Sequence, residues 1–266
     1  MTVPSPIAFV IPTATEFLPF MALIPGLRAV DRHGPWQVHE GALAGRQLVF
    51  ITSGAGPVNA AAATERLVVA YGPTAVLHGG SAGAHNPALL PGDLVLGARY
   101  VIAISRVERE ARLARGMQPT LIRFRRRGER FHPHFLEADP RLLALAQRVA
   151  SETLPTLGPW PSVGWPVEIP PRAAIAVSGT LASADVWTTD PASIRALRED
   201  AGAECEDMES AYVAQVCAMH ELPFLAVRVI SNNEAHYALR PEELEPAIGA
   251  AGLRAAAVLA SVAAAW

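Results

Sequence analysis

Glu206, Asp207 and Glu209 place three carboxylates within four positions of the stretch GAECEDMESAYVAQVCAMHELPFLAVRVISNNEA, residues 202–235. A carboxylate can act as a proton acceptor or accept two hydroxyl donors at once. It also suits the first turn of a helix, where it complements the dipole. MESAYVAQVCAMHE (208–221) has the spacing of an amphipathic helix, so Glu206 and Asp207 read as acids at its start. The stretch then enters an apolar run, PFLAVRVISN (223–232), and leaves it on the paired amides Asn232 and Asn233. Small polar residues follow other apolar runs too, at Ser53, Ser81, and Ser183 with Asp185, as Ser231 and Asn232 do here. Singly, such residues are ordinary turn formers. Four such groups at strand ends point to a pocket, because ligands of open α/β sheets bind at the carboxyl ends of strands.

The elements that must position these groups are short and apolar. IAFVIP (7–12), QLVFITSG (47–54), TAVLHGGSAGA (74–84), GDLVLGARYVIA (92–103), AAIAVSGTLAS (173–183) and PFLAVRVISN read as buried strands. The 47–54 run passes into a Gly-rich turn and helix, SGAGPVNAAAATERLVVAYG, and the 74–84 run reads as a strand leading into a Gly-rich turn. Helices are expected in EFLPFMALIPG, with Pro19 near the first turn, and in DPRLLALAQRVASETL (139–154). The tail PEELEPAIGAAGLRAAAVLASVAAAW adds a helix or helices, with Pro241 in the first turn. PTLGPWPSVGWPVEIPPR must be loop, since Pro at that density suits neither helix nor central strand. Strands without alternation, joined by helices, predict an α/β fold with a mostly parallel or mixed sheet covered on both faces.

Composition excludes several chemistries. No lysine occurs among the 266 residues, which removes Schiff-base catalysis and a P-loop lysine. GGSAGA (79–84) is not the dinucleotide fingerprint GxGxxG, and reads better as backbone approaching a small polar ligand. A net charge of -3 carries no field for nucleic acid. The arginines at 123, 125, 126, 127 and 130 read as a solvated loop or edge strand. HPH (132–134) has no cysteine nearby, and its acidic neighbours are Glu137 and Asp139, a poor metal set. No metal or other cofactor is expected. Cys205 and Cys217 have no redox or metal spacing, consistent with a reducing cytoplasm. No signal peptide is recognisable, and no apolar run approaches the roughly 20 residues of a membrane span. The Arg254-containing tail reads as a core helix.

Taken together, IAFVIPTATEF, TSGAGPVNAAAATE, LHGGSAGAHNPALLPGDLVLGARY, SGTLASADVWT and ECEDMESAYVAQVCAMHELPFLAVRVISN resemble the nucleoside phosphorylase/nucleosidase superfamily. Within it the chain is most similar to the 5′-methylthioadenosine/S-adenosylhomocysteine nucleosidases. The resemblance covers most of the chain outside 105–172, which is expected to be a variable insertion within one domain spanning 1–266. It implies a three-layer α/β/α fold with a mixed, partly barrel-like central sheet. It also implies a homodimer or larger homo-oligomer acting on a small purine nucleoside, with neither nucleic acid nor membrane as partner.

The resemblance also assigns roles. Glu16 matches the glutamate that activates the attacking water, and Ser81 the serine near ribose and water. Glu209 matches the clamp on the ribose 2′- and 3′-hydroxyls, with Met208 packing on the sugar. Trp187 falls where an aromatic stacks on the purine, and its neighbour Val186 would offer backbone contacts to the base edge. His78 stands where the phosphorylases carry an arginine, and PTATEFLPF has a glutamate but no arginine, so hydrolysis is expected over phosphorolysis. Asn232 departs from the pattern, since the methylthioadenosine nucleosidases have an aspartate there that protonates the leaving adenine. An amide cannot transfer that proton. It can read adenine, read a 6-oxopurine as in futalosine hydrolases and 6-oxopurine phosphorylases, or mark a retired nucleoside-binding or storage protein.

Overall fold

The computed structural model describes residues 5–103, 106–116 and 122–266. Its first half contains β1 (Ile7–Ile11), α1 (Ala14–Leu23), β2 (Arg28–His33), β3 (Trp36–Leu43), β4 (Arg46–Thr52), α2 (Pro57–Tyr71), β5 (Ala75–Ala84) and β6 (Leu94–Ile102). The middle adds α3 (Arg106–Ala114), β7 (Phe124–Arg126), β8 (Glu129–Phe131), β9 (Leu136–Glu137) and α4 (Pro140–Thr153). The last third holds β10 (Ala176–Ser183), α5 (Pro191–Ala201), β11 (Ala203–Asp207), α6 (Ser210–Met219), β12 (Phe224–Asn232) and α7 (Pro241–Ala265).

One mixed sheet runs in the order β11-β10-β6-β12-β5-β1-β4-β3-β2. β1 is parallel to both β4 and β5, and β12 is parallel to β5 but antiparallel to β6. β11 also pairs antiparallel with β5, closing five strands on themselves, so the expected partly barrel-like sheet is present. β1 shows how the layers are cut. All five of its residues are buried, and alternate ones face opposite cores. Ile7, Phe9 and Ile11 pack toward α1, α4 and α7, and Ala8 and Val10 toward α2 and α6. Phe9 stacks on Phe50 with ring centroids 4.2 Å apart.

Several local expectations are corrected. GGSAGA is not a turn: β5 runs unbroken through it. Its glycines serve close packing, since a Cβ on Gly79 would meet Leu259 Cδ1 at 2.3 Å. Pro19 lies inside α1 rather than near its first turn. The tail is a single 25-residue helix that does have the length and hydropathy to cross a membrane, against expectation. In the fold α7 is mostly buried, packed on α1, β5 and β12, with Arg254 donating to the Gly158 carbonyl. The β2–β3 hairpin and β11 were not foreseen. The arginine cluster, from Arg123 onward, includes a small hairpin, β7–β8, in which Arg126 and Arg127 pair with Glu221.

Candidate active site

α1 opens on Thr13 as N-cap, and Glu16 is the third residue of its first turn. The pair forms a capping box: Thr13 Oγ1 accepts from the Glu16 amide, and Glu16 Oε2 accepts from the Thr13 amide (3.1 Å) and hydroxyl (2.8 Å). That arrangement turns Glu16 Oε1 toward β5, where it accepts from the Ser81 amide (2.7 Å) and hydroxyl (3.0 Å). The carboxylate is buried and held by four donors, none of them a formal cation. Two glycines permit this approach. A Cβ on Gly80 would stand 2.5 Å from Glu16 Oε1, and one on Gly252 of α7 would meet the Glu16 Cα at 2.8 Å.

Beneath this group lies Arg228, 1% exposed in the middle of apolar β12. Its Nε pairs with Asp207 Oδ2 at 2.7 Å and donates to Ser210 Oγ at 3.1 Å. Its two terminal nitrogens donate to Glu209 Oε2 at 3.0 Å and the Ser81 carbonyl at 3.3 Å, and contact His78 Nε2. His78 Nδ1 reaches the Val10 carbonyl at 2.6 Å. Burial and then the Arg228 charge push the His78 pKa down to about 3, so the ring is neutral.

Two carboxylates share this one guanidinium, unequally. For Asp207 burial alone would raise the pKa, but the Arg228 charge first, then His78 and hydrogen bonds with Ser183 and Ser210, more than offset it, and the group is held below its usual range. Glu209, the N-cap residue of α6, has Arg228 and the Gly56 amide at 2.8 Å. Burial outweighs these, helped by the neighbouring Asp207 and Glu16 charges, and its pKa rises to about 7. Arg228 itself stays charged, because Asp207, Glu209 and Glu16 overcome its burial.

Glu16, Ser81, Asp207, Glu209 and Arg228 line a cavity of about 310 Å3. Its lining also includes Val186, Trp187, Thr188, His85, Glu206 and Asn232. Trp187 is 47% exposed, so it is a free face rather than a core residue. Glu206 departs from its expected place: it lies in β11, not at a helix start, and its carboxylate accepts from the Thr188 amide and hydroxyl, each at 3.1 Å. Asp207 also ends β11, though it does cap α6. Asn232 Oδ1 accepts from the Ser231 hydroxyl (2.8 Å), and its Nδ2 donates to Glu234 Oε1 (2.8 Å).

Glu16, Ser81, Val186, Trp187, Met208, Glu209 and Asn232, singled out from the sequence, all border this cavity. Ser53 and Ser183 do not: Ser53 donates to the Gly54 carbonyl, and Ser183 donates to Asp207 and accepts from the Ala211 amide. Arg228 was missed, although a lone arginine inside an apolar strand is itself a signal. Glu206 and His85 were missed as lining residues because β11 was not recognised. Among the described residues no group of three or more side chains could hold a metal ion.

The family model of the phosphorylase superfamily matches residues 6–264, and the chain belongs to that superfamily. A 5′-methylthioadenosine/S-adenosylhomocysteine nucleosidase of Bacillus cereus is 29% identical over 199 residues, 73% of this chain and 71% of that one. Among solved structures, the nucleosidase of the same name from Neisseria meningitidis, in complex with methylthio-immucillin-A, superposes with a TM-score of 0.76. It is 23% identical, with 99% of this chain and 100% of that one covered. Futalosine hydrolase of Helicobacter pylori superposes with a TM-score of 0.75 at 21% identity, covering 97% of each chain.

Proposed function

We propose that the protein is a purine nucleosidase that hydrolyses the N-glycosidic bond of a 5′-modified purine nucleoside, of the methylthioadenosine or adenosylhomocysteine kind. The observation that carries this reading is Glu16: a buried carboxylate at the cavity wall, oriented by Thr13 and Ser81 and paired with no cation. Such a group accepts a proton from water. The water oxygen bonds to the anomeric carbon, its proton passes to Glu16, and the base leaves with the bonding electron pair and takes up a proton.

Glu209, ionised, accepts the ribose 2′- and 3′-hydroxyls, and Met208 packs on the sugar. As the glycosidic bond breaks, positive charge develops on the sugar and the carboxylates around it stabilise that charge. Trp187 offers its free face to the purine, with the backbone at Val186 beside it. Five carboxylates border the cavity, at 16, 206, 207, 209 and 234, against one guanidinium already engaged by Asp207 and Glu209. That field opposes phosphate and favours water as the nucleophile. Asn232 supports a second reading, a 6-oxopurine nucleosidase of the futalosine hydrolase kind, because its amide nitrogen, with one hydrogen on Glu234, keeps a second for the O6 acceptor of such a base.

The same reading places the enzyme in the cytoplasm, in methionine salvage, as a homodimer or larger homo-oligomer. Its two cysteines are free and buried, and Leu18, Met21 and Leu23 expose apolar surface on α1. Incubation with methylthioadenosine, adenosylhomocysteine, futalosine and inosine, with and without phosphate, tests the proposal by chromatography of the free base. Release without phosphate is expected. Strict phosphate dependence would establish a phosphorylase instead, and base binding without turnover a storage or binding protein.

A further inference from the structure

Protonating the leaving base speeds the breaking of a glycosidic bond to a purine, and Asn232 cannot supply that proton. Each of its polar atoms has one partner. Oδ1 receives the Ser231 hydroxyl, which fixes the orientation of the amide, and Nδ2 therefore faces outward and donates to Glu234 at 2.8 Å. Glu234 lines the same cavity as Trp187 and Asn232.

Resting on the nucleosidase reading, we infer that Glu234 is the acid that protonates the leaving base, and that Asn232 is the positioning residue that holds it against the purine. The proton leaves the Glu234 carboxyl for a ring nitrogen of the base as the bond from the anomeric carbon to the base nitrogen breaks. The water proton passes to Glu16. Both carboxyls return to their starting states by exchange with solvent after the products leave, so protons and electrons balance.

The surroundings of Glu234 suit an acid. Of the other four cavity carboxylates, Asp207 and Glu209 are ion-paired to Arg228, Glu16 is held by the amides and hydroxyls of Thr13 and Ser81, and Glu206 accepts from the amide and hydroxyl of Thr188. Glu234 has the Asn232 amide and the Leu239 backbone, and no cation. Facing groups do not supply one. The same lining holds Glu206 with His85 beside it, while Arg228 is engaged by Asp207 and Glu209. From α7 come the apolar Leu244 and Ile248, and Glu243 of that helix is tied to Arg240 and Tyr237. Partial burial raises the Glu234 pKa against the lowering effect of its two hydrogen bonds. The proton is thus retained to a higher pH than on an ordinary glutamate.

The test uses the full-length enzyme and whichever nucleoside it hydrolyses fastest. Glu234→Gln keeps the size and hydrogen-bonding capacity of the side chain but carries no acidic proton. It is expected to lower kcat by ~10²-fold or more with KM changed little, and to remove the fall in kcat that wild type shows as pH rises. Moving the acid back, in the double variant Glu234→Gln with Asn232→Asp, is expected to recover at least about tenfold. Glu234→Asp, which keeps an acid but shortens its reach, should fall between and retain the basic limb. Equal melting temperatures and equal affinity for the free base exclude a folding defect. If wild type is active and Glu234→Gln keeps more than about a third of kcat with the same pH profile, the assignment is overturned and the nucleosidase reading stands. A wild type that hydrolyses no purine nucleoside overturns both.

Discussion

Replacing Glu209 by Gln removes a carboxyl whose proton affinity burial raises strongly. In the folded protein burial lifts this carboxyl from 4.5 to about 7. The folded state therefore holds a proton that the unfolded chain has already lost over that interval. The stability this contributes is complete below about pH 4.5 and disappears as pH rises through about 7, where the buried group must ionise. A rise from 4.5 to about 7 corresponds to about 3 kcal/mol. The glutamine cannot titrate, and its carbonyl can still accept from the Gly56 amide or Arg228, so its own cost is independent of pH. Urea denaturation of both proteins between about pH 4.5 and about pH 8 gives the difference, in which titrating groups remote from Arg228 and its carboxylates cancel. The wild type is expected to lose about 3 kcal/mol relative to Glu209→Gln across that range. The same ionisation should act oppositely on substrate. Only the carboxylate accepts two hydroxyl donors, so KM of the wild type should fall as pH rises through about 7, and KM of the variant should be level. A stability difference that does not change with pH would show that Arg228 keeps Glu209 ionised throughout and would refute the balance of burial against charge.

Arg228→Met leaves Asp207 and Glu209 buried without their cation, which should cost roughly 3–5 kcal/mol. The loss should be worst at alkaline pH and lessen as the two carboxyls take up protons, as thermal melts at several pH values would show. Gly80→Ala puts a Cβ 2.5 Å from Glu16 Oε1 and 2.6 Å from Arg228 Nη1. It should lower stability by about 1–3 kcal/mol and remove nearly all hydrolysis, measured as base release by a protein of otherwise unchanged circular dichroism. Trp187→Ala should leave the melting temperature alone, because the ring is half exposed, while weakening binding of the free base by ~1–3 kcal/mol in calorimetry.

Much of the scaffold was legible because strand and helix patterns are local. The largely apolar runs in β1, β4, β6 and β12 announced a sheet buried on both faces, whereas β10 is buried only over its second half. The misread parts depend on distant partners. GGSAGA has the composition of a turn, yet it is strand, because Leu259 of α7 on one face and Glu16 with Arg228 on the other leave room only for hydrogen at Gly79 and Gly80. ECED reads locally as a helix start, yet β11 forms because β10 and the far end of β5 supply its ladder.

For the site the division is similar. The residue types alone established which chemistry was available: no lysine, no metal set, carboxylates at 16 and 209, an aromatic at 187 and an amide at 232. Their meeting depended on registers that no local pattern encodes. The parallel pairing of β12 with β5 sets Arg228 opposite Gly80 and Asn232 opposite Gly83, and the capping box of α1 aims Glu16 across at Ser81. Side-chain identity is a property of the chain. Proton affinity, orientation and the sharing of one buried guanidinium between two carboxylates are properties of surroundings that exist only once the sheet has closed.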